Sequence, residues 1–173
     1  MSPPWPVAPI TPSARYSDFF TTVTYSQYRV SRPRRSHDAH RDQPRHAAHP
    51  RGYSHGTLSG TTLYLGGQTA LDSEMRIVEG GIVAQFRQAF GNVLTTLREA
   101  GGLPEDLVSI TIYLTDIPDY QAHGSEIGAV WRELAGPVYP AMAGIGCTAL
   151  WQPEALIEIL GVAVIPQERL RVP

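Results

Sequence analysis

The side chain best placed to do chemistry is Glu158, a lone acid inside the apolar run Leu156-Ile157-Glu158-Ile159-Leu160. A carboxylate in such a run is costly unless it has partners or a task. The task open to it is to orient a water or to take a proton from one as a general base. The alternative is an edge-strand or interface carboxylate paired with an arginine, because structural networks perturb carboxylates too. Tyr53 and His55 are candidates for polar contacts at a cleft rim, or for rings packed on a strand. Trp151, at a turn beside Pro153, either lines a cleft or covers a sheet edge. Cys147 has no histidine at a spacing that would make it a nucleophile and reads as a buried structural thiol. Gly66-Gly67 reads as a turn, not a phosphate cradle, since no Gly-x-Gly-x-x-Gly leads into a helix there.

The elements that must position these residues follow from periodicity. Thr62 to Gln68 reads as a strand ending in a glycine turn, Ser59-Gly60 as a hairpin signal and Met75 to Val78 as a short edge strand. Ile82, Val83, Phe86, Phe90, Val93, Leu94 and Leu97 recur at helical spacing and predict a helix over 81–100, with Arg87, Gln88, Arg98 and Glu99 on its other side and Gly101-Gly102 as its stop. Val108, Ile110, Ile112 and Leu114 alternate with polar residues, as in a half-buried strand. Asp116 caps a second helix that runs to Gly136-Pro137, with Trp131 in its core face and His123 exposed. Strands over 141–150 and 156–165 complete the chain. The order β-β-(β)-α-β-α-β-β, with hairpin-like terminal pairs, predicts an α+β fold: a mixed β-sheet with two helices packed on one face. The other face carries residues as small as Ala143, Gly144 and Gly146, so an oligomer is expected to cover it.

Composition narrows the chemistry. The 173 residues suffice for one domain with a sizeable core. No apolar run reaches about 18 residues, so no membrane helix is expected, and the N-terminus lacks the apolar core of a secretory signal. One cysteine excludes an intrachain disulfide and a cysteine-based zinc site, and suits a reducing cytoplasm. All fourteen basic residues are arginine, which removes Schiff-base catalysis and lysine-bound pyridoxal phosphate. Residues 1–51 carry eight Arg against three Asp, a net +5, while 52–173 carry six Arg against thirteen acids, a net −7. The 1–51 stretch also holds eight of fifteen prolines and four of six histidines and reads as a largely disordered extension, with one strand-like segment at Phe19 to Val30. Its arginines, and the spaced pairs His37/His40 and His46/His49, fit a nucleic-acid tail or metal site as well as a solvated tail.

Several segments in order resemble the Rid family of YjgF-type reactive intermediate deaminases: Tyr53-Ser54-His55-Gly56, Tyr64-Leu65-Gly66-Gly67-Gln68, Phe90-Gly91-Asn92-Val93, Thr111 to Asp116, Tyr139-Pro140-Ala141 and Ile157-Glu158-Ile159. The likeness covers 52–166, leaving 167–173 as a tail. It implies a chorismate-mutase-like fold and a homotrimer with ligand clefts between subunits. It also implies that Glu158 positions the attacking water and Tyr53 supplies a hydroxyl. Met142, Gly144, His55 and Trp151 are the residues expected to line the substrate site, Met142 as a packing side chain. No metal or organic cofactor is implied. In the imine-hydrolysing branch an arginine after Pro-Ala grips the substrate carboxylate with two parallel hydrogen bonds. This chain has Met142 there, an apolar and adaptable side chain. Losing that ion pair would cost small imino acids about 2–5 kcal/mol, which points to a larger, less anionic substrate, such as an intermediate of specialised metabolism.

Two functions are consistent with this sequence: an enzyme acting on an imine, enamine or related reactive intermediate, and a binding or regulatory trimer that keeps the cleft without the chemistry. RNA binding is a weaker third, opposed by the acidic domain and supported only by the basic extension.

Overall fold

The computed structural model describes residues 40–42 and 53–171. Most of the 1–51 extension lies outside them, including Phe19 to Val30 and the histidines at 37, 46 and 49. His40–Asp42 forms a strand, β1, so the sheet takes in three residues upstream of position 52.

The elements that follow are β2 (Gly56–Ser59), β3 (Thr62–Thr69), α1 (Gly81–Glu99), β4 (Leu107–Leu114), α2 (Ile117–Ala122), α3 (Gly124–Ala135), β5 (Ala141–Gly146) and β6 (Ile157–Val164). They make an α+β fold whose six-stranded mixed sheet runs β1-β2-β3-β6-β4-β5. The last strand in sequence is central. β6 pairs antiparallel with both β3 and β4, and β5 pairs parallel with β4 at the edge.

The sequence reading is corrected at three places. The last two strands are not a hairpin, because the helical segment between β4 and β5 makes a crossover, and a crossover returns the chain parallel to the strand it left. The β6 alternation places Ile157, Ile159, Gly161 and Ala163 on a fully buried face, which suits a central strand, while every residue of β5 is exposed. The segment 75–78 forms only one isolated bridge, Leu71 to Ile77. The second helix is broken in two at His123, just before Gly124. Asp116 does cap its start, accepting a 3.0 Å hydrogen bond from the Asp119 backbone N–H.

The core lies between the sheet and the helices. Phe86, Phe90, Val93, Leu94 and Leu97 of α1 are wholly buried against β3 and β6. Trp131 of α3 stacks on Phe90 at 4.3 Å between ring centres and donates its indole N–H to the Val138 carbonyl at 2.9 Å, which joins the two helices. The turn after α1 is closed by Gly101 at φ 92°, a left-handed conformation that a side chain resists.

Arg169 and Arg171, in the segment that the sequence suggests is a tail, contact the domain. The Arg171 backbone N–H bonds the Ala100 carbonyl, and the Arg169 guanidinium meets Asp106 Oδ1 at 2.6 Å. Asp106 is buried and also accepts the Leu103 N–H at 2.7 Å. Removing its carboxylate leaves both donors without their acceptor. Asp106→Ala is therefore expected to cost about 1–3 kcal/mol, read as a lower urea midpoint with an unchanged slope; an unchanged midpoint would show that the latch adds nothing. Among the described residues no helix is long and apolar enough to cross a membrane.

Candidate active site

A cavity of about 950 Å³ opens between the β3 end of the sheet, the Tyr53-His55 segment and the polar side of α1. Glu158 is in its wall. It sits on β6 opposite Thr69 of β3 and Tyr113 of β4, on the sheet face away from the helices. Alternation along β6 sends Ile157 and Ile159 into the core and Glu158 out of it, where it remains half-buried. Among the described residues no hydrogen bond or ion pair reaches its carboxylate, and burial pushes its pKa above the ordinary glutamate value.

The carboxylate leans over Gly67. A methyl group at position 67 would overlap it and approach its carboxyl carbon to 2.8 Å. Gly66-Gly67 is thus not the turn that the sequence suggests. β3 runs straight through it with a bulge between Leu65 and Gln68. The Gly66 N–H bonds the His55 carbonyl at 2.8 Å, and a side chain at 66 would stand 2.7 Å from the Ser54 carbonyl. The glycine pair therefore lets the Tyr53-His55 segment approach on one side and Glu158 on the other.

Tyr53 lines the cavity and is about half exposed. Partial burial, and secondarily the negative charge of Glu158, raise its pKa, so it stays a neutral hydroxyl through the neutral range. His55 is buried and pairs through Nδ1 with Gln68 Oε1 at 3.1 Å, while the Gln68 amide donates to the Gly66 carbonyl. The two rings of Tyr53 and His55 meet edge to face at 5.8 Å. Trp151 is among the residues that line the cavity and is 91% exposed.

Four of the six residues singled out in the sequence thus converge: Glu158, Tyr53, His55 and Trp151. Met142 and Gly144 do not. They lie on β5 opposite Ile110 and Ile112, whose side chains enter the core, so within one chain they are on the other face of the sheet from Glu158, with β4 between. Cys147 is half-buried, with its thiol 3.6 Å from the Leu114 carbonyl, and is not in the cavity wall.

The sequence reading missed the polar floor. Gln85, Gln88, Asn92 and Thr96 form a second stripe on α1 at i, i+3, i+7 and i+11. Asn92 Nδ2 donates to the Thr69 and Leu71 carbonyls, and Gln88 Nε2 to Leu71. Gln85 clamps the approach to β6, donating to the Glu154 carbonyl and accepting the Leu156 N–H. Gln88, expected on the solvent side, faces the cavity instead. Both loops that border Glu158 are therefore fastened to one helix. Among the described residues no three of His, Cys, Asp and Glu converge as a metal site requires.

A small α+β protein that holds a carboxylate in a cavity of this size is built to bind a small molecule. Residues 44–165 match the family described as Endoribonuclease L-PSP, and the chain belongs to that family, the YjgF/Rid proteins. It is 32% identical over 112 residues to a RutC family protein of Pyrococcus horikoshii, covering 64% of this chain and 85% of that one. It is 31% identical over 113 residues to a 2-iminobutanoate/2-iminopropanoate deaminase of Capra hircus, covering 65% and 79%. Among solved structures, RidA of the Antarctic bacterium Psychrobacter sp. is similar at 30% identity and a TM-score of 0.61, over 69% of this chain and 94% of that one. The YjgF gene product of E. coli, at 23% identity, shares the fold at a TM-score of 0.62, over 72% and 97%.

Proposed function

We propose that this protein hydrolyses C=N bonds, with Glu158 as the general base and Tyr53 as a hydrogen-bond donor. The observation that carries the reading is the half-buried Glu158 carboxylate, without a partner among the described residues, held over Gly67 inside the cavity. Such a group can accept a proton from water. As the water oxygen bonds to the imine carbon, Glu158 takes its proton and the C=N electron pair moves to nitrogen, which is protonated in turn. The carbinolamine then collapses: its C–N bond breaks, ammonia leaves, and the hydroxyl proton is given up as the carbonyl forms. Tyr53 donates to the substrate nitrogen or to the developing oxygen. The deaminase activity named for the goat relative supports this class of reaction.

The working form on this reading is a homotrimer. The support is the fully exposed β5 edge, with Met142 about 50% and Ile145 about 42% exposed and Tyr139 just before it. A neighbour's β5 laid against the cavity would bring Met142 and Gly144 to the substrate, which one chain alone does not do. Sedimentation equilibrium is expected to give three times the 19.0 kDa chain mass, and a monomer would contradict the assembly.

A pH profile tests the base. Glu158 works as the carboxylate, so activity is expected to fall as pH drops through its folded pKa. Because burial raises that pKa, the acid limb should lie above the ordinary 4.5, and the alkaline limb set by Tyr53 above 10. An acid limb at or below 4.5 in kcat/KM would remove Glu158 from the role. Substrate binding without turnover would leave a non-catalytic binding protein of the same fold.

A further inference from the structure

The charge of the cavity wall bears on which imines it takes. Among the described residues that line it, two are acids, Glu158 and Asp72, and none is an arginine. The one histidine, His55, is turned to Gln68. Asp72 is fixed in place: its Oδ1 accepts the backbone N–H of Glu74 at 2.8 Å and of Arg76 at 3.0 Å. Among the described residues its cation is Arg76, which is 69% exposed and lies outside the wall. Its short contact, 2.6 Å, goes to Glu74, against 3.7 Å to Asp72, so the loop keeps a net negative charge. The mouth is apolar and aromatic, with Tyr53, Met75 and Trp151 each about half exposed or more.

We infer that the cavity takes its substrate as a cation, a protonated imine carrying an aromatic or apolar substituent, and disfavours the anion of a 2-imino acid. This rests on the C=N reading above and narrows it. Each carboxylate attracts an iminium and repels a carboxylate, most strongly where water is scarce. An opposite charge a few ångströms away also favours the protonated imine, whose carbon is the more electrophilic. Tryptophan and tyrosine faces add cation–π attraction and a stacking surface for the substituent. The reaction is R–CH=NH2+ with H2O giving R–CHO and NH4+; charge and atoms balance, and no co-reactant is needed.

Two probes of similar shape and opposite charge decide the point: 2-phenylethylamine, an ammonium, and 3-phenylpropionate, each titrated calorimetrically into the full chain at neutral pH. The ammonium is expected to bind at least about tenfold more tightly, a difference of ~1.4 kcal/mol, with the preference shrinking in added salt. Glu158→Gln and Asp72→Asn should each narrow it severalfold. The second keeps an oxygen acceptor for the turn, so loss of folding is not expected. Equal or tighter binding of 3-phenylpropionate, or binding of neither probe, overturns the inference. The two claims fail separately. An ammonium preference without imine turnover leaves the cation-selective cavity and removes the chemistry, whereas turnover with 2-imino acids preferred does the reverse.

Discussion

Glu158→Gln is expected to fold as the natural chain does and to hydrolyse imines about 10²–10⁴-fold more slowly, the usual contribution of a positioned general base. The amide has nearly the same shape and cannot accept the proton. Stability should move the other way. A glutamate whose folded pKa is raised above its unfolded value contributes stability that is present below the unfolded pKa and lost as pH rises through the folded pKa. At neutral pH the ionised, half-buried carboxylate is then a net cost, so the glutamine protein should melt at the same temperature or higher. The acid limb of the pH profile should vanish with the activity. A variant of unchanged rate, or one that loses activity only because it unfolds, would contradict the assignment.

Gly67→Ala is expected to leave the fold standing and to cut activity about 10²-fold, as misplacing a catalytic group by an ångström can do. The added methyl meets the far end of the Glu158 side chain and no main chain within the clash distance, so the carboxylate can swing aside. The backbone at 67 is not in the left-handed region, so alanine adds no strain there. The loss should fall on kcat more than on KM, because the cavity walls at Tyr53 and α1 stay where they are. A matching loss of thermal stability would show that the glycine serves the sheet bulge and not the carboxylate.

These two residues also mark what the sequence discloses. Glu158 is legible because an acid in an apolar alternation is anomalous wherever it lies. Gly67 is not, because a glycine pair after a strand gives the same local signal for a turn and for a bulge. Only the opposing Glu158 side chain, 91 positions away, decides between them. The α1 stripe and the β4 alternation from Ile110 to Leu114 are likewise local and are found where the periodicity puts them, whereas Val108 is exposed because β4 slips register between Leu107 and Ser109. Strand order is not local. Alternation in β5 and β6 says which face is buried and nothing about neighbours, although the helical crossover before β5 is a usable sign of parallel pairing to β4. The polar stripe Gln85-Gln88-Asn92-Thr96 was equally readable, since four uncharged hydrogen-bonding residues at helical spacing beside an apolar stripe call for backbone partners. Where Met142 and Gly144 act is not legible within one chain, because β4 lies between β5 and β6 and only a neighbouring subunit could bring them to Glu158.

The central claim is that the cavity around Glu158 adds water to a C=N bond. Its most direct test is the hydrolysis, by the natural protein, of imines made in situ by oxidases: the imine of phenylacetaldehyde from 2-phenylethylamine, and 2-iminopropionate and 2-iminobutyrate from their amino acids. Carbonyl and ammonia are expected to be released faster than in buffer alone, and fastest from the phenylacetaldehyde imine. Release of both at the buffer rate for every imine, by correctly folded protein, would contradict that claim.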